Sequence, residues 1–127
     1  MSASPKLPAG LAAASGALGR VAMLDDDLPG HDRAANGRLA AALERAGFGV
    51  ARLTADQLLA SDALRGDVFA ALVLPQCAAM PASSVAPLRQ FAEEGGHLFF
   101  IGGHFLDRAL WKIGGQWMDA QGLERML

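Results

Sequence analysis

The chain contains one cysteine, Cys77, in 127 residues. A lone thiol excludes an intrachain disulfide and a thiolate metal cluster, and it says little about compartment. Clustered positive charge is missing as well. The 11 Lys and Arg residues are scattered, 13 Asp and Glu bring the net charge to −2, and the pI lies near 5.8. Affinity for a phosphate backbone rests on clustered cations, so no nucleic-acid partner is expected. No apolar run approaches the ~20 residues that span a bilayer, so no membrane partner is expected either. A dinucleotide fingerprint would open the helix after the first strand. That position holds Asp25-Asp26-Asp27, which would repel a phosphate, and no cofactor is expected.

What remains is a globular composition, 52% hydrophobic and 19% charged, long enough for one core and not two. Residues 1–18 are rich in Ala, Gly, Ser and Pro without an amphipathic period and read as a flexible leader rather than a targeting signal, which makes a cytoplasmic location the default. Residues 19–127 read as a single α/β domain. Val21–Leu24 is an uninterrupted apolar run ending in the three aspartates, as a strand buried on both faces requires. Ala35, Leu39, Leu43 and Ala46 are spaced helically and Gly47 is placed to cap their helix, whose start Gly37 delays to near Asn36. Phe48–Leu53 alternate, as an edge strand does, and Thr54 with Gln57 forms a capping box.

Val68–Leu74 gives the strongest strand, stopped by Pro75. Ser83 or Ser84 is expected to cap a helix to Glu94, with Val85, Leu88, Phe91 and Ala92 inward, and Gly95-Gly96 to end it before a fourth strand, His97–Ile101. The alternation predicts a doubly wound parallel sheet in the order 2-1-3-4, followed by a hairpin over Leu110–Met118 turned at Gly114-Gly115 and a short terminal helix.

Ligands of such sheets sit beyond the carboxyl ends of the strands. Three clusters fall there: Asp25-Asp26-Asp27, Pro75-Gln76-Cys77 and Gly102-Gly103-His104. Asp25, Asp26, Gln76, Cys77 and His104 are the candidate ligand-binding residues. Adjacent acids diverge, so at most two reach one cation and no metal site is expected; the same triplet serves equally to end a strand in solvent. Cys77 lacks the small flanking residues of a nucleophile elbow and reads as a buried small hydrophobe, so no catalytic residue is expected. His104, with Asp107 three residues on, fits a base, a ligand or a loop cap, and His31 lies beside the acids.

Two resemblances follow from these residues. Arg20 to Asp27 looks like the opening of a response-regulator receiver, but Pro75-Gln76 stands where a receiver carries its phospho-accepting aspartate, which makes any receiver a degenerate one. Ala71-Leu72-Val73-Leu74-Pro75, then Phe91-Ala92-Glu93-Glu94-Gly95-Gly96 and the apolar strand after it, is similar to class I glutamine amidotransferase-like (flavodoxin-like) domains. The likeness is greatest to the non-catalytic members, such as β-galactosidase trimerisation and ThuA-like domains. It covers roughly a third of the chain strongly. It implies a non-catalytic interaction or accessory domain of a carbohydrate-processing protein, either a trimmed one or the N-terminal piece of a longer chain. The alternative from the residues alone is a small hydrolase or lyase using Cys77 or His104. The apolar tail, which holds Trp111 and Trp117, is expected to meet a second copy or a downstream domain.

Overall fold

The computed structural model describes residues 18–60, 63–102 and 105–126. The leader, apart from Leu18, lies outside them, as does His104. Four strands, β1 (Arg20–Leu24), β2 (Gly49–Leu53), β3 (Ala71–Pro75) and β5 (His97–Ile101), form one parallel sheet in the order β2-β1-β3-β5. This is the flavodoxin-like order expected. The fourth strand of the sheet is fifth in the chain because a short strand, β4 (Ala79–Pro81), precedes it. A second sheet, β4-β6-β7, contains β6 (Arg108–Ile113) parallel to β4 and β7 (Gln116–Met118) antiparallel to β6. Gly114 and Gly115 both have positive φ, as a two-residue type I′ turn demands, so the hairpin stands where it was expected.

Burial follows position in the sheet. All five residues of β3 are buried, as are Val21 to Leu24 of β1, because these central strands are covered on both faces. In β2, at an edge, Arg52 is exposed between buried Ala51 and Leu53. One face of the sheet packs Ala22, Leu24, Leu72 and Leu74 against Leu58 of α2 (Ala55–Leu59) and Leu88 and Phe91 of α3 (Val85–Glu93). The other face packs Met23 and Val73 against Ala40, Leu39 and Leu43 of α1 (Arg33–Arg45). Only the β1-to-β2 crossover runs towards that edge, and right-handed crossovers therefore put α1, alone of the three crossover helices, on this face.

Local signals explain most boundaries, and four expectations need correction. The capping box is present: Thr54 Oγ1 accepts from Gln57 N and Gln57 Oε1 accepts from Thr54 N. At the end of α3, Gly95 N donates to Ala92 O and Gly96 N to Phe91 O, a Schellman pair, with Gly95 at φ +96°. The first turn of α1 is not delayed by Gly37, because Asp32 caps it by accepting from Ala35 N. β3 begins at Ala71 and not Val68, since Val68 N and Phe69 N both donate to Arg65 O in a turn. Ser84 precedes α3 but does not cap it: its hydroxyl is buried and donates to Pro81 O at 2.7 Å. Val85, at 40% exposure, and Ala92 lie on the outer side of that helix, leaving Leu88 and Phe91 as its buried face.

Candidate functional site

The carboxyl ends of β1 and β2 face the hairpin across an open cleft of about 800 Å³. The β1 loop contributes Asp26, Asp27 and Leu28 to His31. The β2 end contributes Thr54 and Asp56, and the hairpin contributes Lys112, Gly115, Gln116 and Trp117. Lys112 and Trp117 are register partners across the type I′ turn, and the ammonium lies 5.6 Å from the ring centroid while pairing with Asp56. The hairpin is thus tied to α2 by one ion pair over an aromatic platform.

The three aspartates point three ways. Asp25 is buried, and its carboxylate takes Arg33 Nε at 3.3 Å, Asn36 Nδ2 at 3.2 Å and Arg52 Nη1 at 3.6 Å. Side chains of the protein itself occupy its lone pairs, so it ties β1 to α1 and β2. Asp26 accepts from Ala55 N at 2.8 Å with one oxygen and from Asp27 N with the other, which anchors the start of α2. Asp27 is exposed. Among the described residues no three His, Cys, Asp or Glu side chains are grouped to hold one metal ion.

His31 was left undecided by the sequence, and it proves to line this cleft. Its Nε2 lies 3.3 Å from Ala79 O, which can only accept, so Nε2 carries the proton and Nδ1 is the basic nitrogen. That nitrogen is buried without a hydrogen-bond partner. Desolvation lowers the pKa of the ring below 6.5, against the raising effects of the Ala79 carbonyl, Asp26 and Asp25.

The second cluster does not reach the cleft. Gln76 has φ +55°, donates its N–H to Ile101 O, and accepts from Asp32 N through Oε1 at 2.7 Å, so it joins the end of β3 to the start of α1. Cys77 is 3% exposed in the core cluster just before β4, its thiol directed at Pro75 O at 3.3 Å, and burial pushes its pKa up to about 12. In the third cluster, Gly102 ends β5 with φ +79°. Of the five candidates, then, Asp26 alone of the described four borders the cleft.

Asp56, Lys112, Gln116 and Trp117 were missed as site residues, though each left a signal. Asp56 follows the carboxyl end of a strand already expected at that edge, and the turn at Gly114-Gly115 fixes the pairing of Lys112 with Trp117. No described helix is long and apolar enough to cross a membrane. No protein-family model matches this chain, and no curated protein or solved structure matches it either.

Proposed function

We propose that the chain is a non-catalytic amidotransferase-like domain that works by docking, as an accessory module of a carbohydrate-processing protein. The observation that carries the docking role is β5. Phe99, Phe100 and Ile101 are 54%, 46% and 45% exposed on a strand at the sheet edge, an unusual place for an uninterrupted apolar run. Trp111, at 41% exposure on the hairpin, supports a second contact, with half-buried Trp117 beside it, to a further copy or to a downstream domain. The amidotransferase-like character and the carbohydrate setting rest on the resemblance over Ala71 to Ile101.

The chemistry of Cys77 supports a non-catalytic reading, because a thiol held near pKa 12 supplies almost no thiolate at neutral pH. The alternative, a small hydrolase or lyase at the carboxyl strand edge, draws on the cleft over Asp26 and His31. It is less favoured because the free nitrogen of His31 is walled off from solvent. For a degenerate receiver, Pro75 and Gln76 offer no acid at the end of β3.

Titration with an apolar-surface dye such as anilinonaphthalene sulfonate tests the docking role. The folded chain at nanomolar concentration should show saturable binding that Phe99→Glu abolishes without loss of circular dichroism. A folded monomer that binds no dye would mean the surface is already covered, and would sink the proposal.

A further inference from the structure

We infer that β5 is a homodimer seam, at which two copies of this chain join antiparallel across a two-fold axis into one continuous sheet. The inference rests on the docking role just proposed and names its partner.

Backbone geometry fixes the register. His97 N donates to Ala70 O, and Ile101 O accepts from Gln76 N, so the odd-numbered residues of β5 turn their backbone groups towards β3. Strand alternation therefore points the N–H and C=O of Leu98 and Phe100 at the open side, where no described strand pairs with β5. Backbone groups on an open edge call for an extended partner rather than a helix or a small ligand.

A second copy of the same strand presents the complementary donors and acceptors for this edge. Centred on Phe99, the antiparallel pair sets Leu98 opposite Phe100 and Phe100 opposite Leu98, each pair exchanging N–H···O=C bonds. Phe99 then faces Phe99 in the non-hydrogen-bonded position, with Cα atoms about 4.5 Å apart and side chains in contact. The two-fold axis stands normal to the sheet, so each face continues into the same face of its mate. Beside α1, Phe99 meets Phe99 and Ile101 lies opposite His97, and beside α3 Leu98 meets Phe100.

The composition of β5 suits this partner. His-Leu-Phe-Phe-Ile has no Lys, Glu, Pro or bulge, the devices that keep edge strands apart. Its apolar residues lie on both faces, which matches another strand apolar on both faces, and the seam is isologous as a two-fold requires. Among the described residues no further strand covers this edge, because after β5 the chain pairs β6 with β4. About half of each of three large side chains is exposed, so pairing removes at most roughly 600 Å² in total, below the standard interface range and of the size of a weak, reversible contact.

Light scattering after size exclusion from 1 to 100 μM, combined with cysteine cross-linking, tests the seam. The chain should pass from monomer to dimer over that range. Phe99→Glu, which sets like charges face to face on the axis, should weaken the dimer at least tenfold while leaving the fold intact. Phe99→Cys should form a covalent dimer under mild oxidation, since this pairing meets the Cα spacing of a disulfide, whereas Ile113→Cys on the hairpin should not. Three results would overturn the seam. A monomer at 100 μM that still binds the apolar dye would leave the docking role standing and remove the second copy as partner. A dimer indifferent to Phe99→Glu and unlinked by Phe99→Cys would place the contact elsewhere. A folded monomer without dye binding would sink both proposals together.

Discussion

Alkylation of Cys77 by iodoacetamide at pH 8 should run at least a thousandfold more slowly in the folded chain than in the unfolded one. The thiolate is the reacting species, so the first factor is its fraction. Desolvation moves the thiol from an ordinary 9.0 to about 12, which reduces thiolate at pH 8 by roughly a thousandfold. Access adds a second factor. Cys77 is 3% exposed and belongs to the core with Met80 and Leu110, and its backbone carbonyl accepts from Leu106 N, so β4 and β6 must separate before a reagent enters. The rate should rise about tenfold per pH unit from 7 to 9 and should level off only in urea, where the thiol is free. Mass spectrometry of quenched time points measures it. Labelling within tenfold of the unfolded rate at pH 8 would refute both the burial and the non-catalytic argument. The same shift has a thermodynamic signature with a definite sign. The folded pKa is raised, so this contribution to stability is whole below pH 9 and is lost as pH climbs towards 12, by about 1 kcal/mol per pH unit, a slope Cys77→Ala should flatten.

Two further outcomes test the packing and electrostatics around the site. Gly96→Ala should destabilise the fold by about 1–3 kcal/mol in urea unfolding, because a Cβ there runs into the Phe91 ring, and Phe91→Leu in the same chain should recover part of the loss. His31 is held below its ordinary pKa by desolvation, so its stabilising contribution is whole above pH 6.5 and is lost as pH falls through the folded value. Urea midpoints between pH 7.5 and 5 should drop for the native chain and fall less for His31→Gln; parallel slopes would show that His31 is not the desolvated group.

The sheet was legible because its information is local. Val21–Leu24 and the run ending at Leu74 are apolar without interruption, a pattern that only a strand covered on both sides can satisfy, and both are central. The Phe91 to Gly96 motif was legible as a signature and acquires a physical meaning in the fold: Gly95 takes the left-handed cap, and Gly96 lets the Phe91 ring lie against the backbone. Helix starts were read less well, because Asp32 and Ser84 look alike as caps in sequence and differ only in what their side chains meet. Asp32 finds Ala35 N, and Ser84 finds Pro81 O. The cleft was half legible. Strand ends could be placed, but the direction of each adjacent aspartate depends on Arg33, Asn36 and Arg52, which arrive from α1 and β2.

One short strand accounts for both the missed half of the cleft and the open edge. Gln76, at φ +55°, turns the chain after β3, and Ala79–Pro81 follows as a short strand outside the four-stranded sheet. Three residues are too few to show a period, so nothing in the sequence announces β4. Once formed, it captures the tail: Leu106 N and Arg108 N donate to Cys77 O and Ala78 O, and β6 runs parallel from there. That pairing carries Leu110 into the core and swings Lys112 and Trp117 over the ends of β1 and β2, which builds the cleft wall. It also draws the remaining described strands, β6 and β7, away from β5. A tail folded back on β5 would have covered Phe99 and Ile101 and left Asp26 and His31 with no facing wall. The cleft wall and the uncovered edge of β5 are therefore two consequences of one pairing.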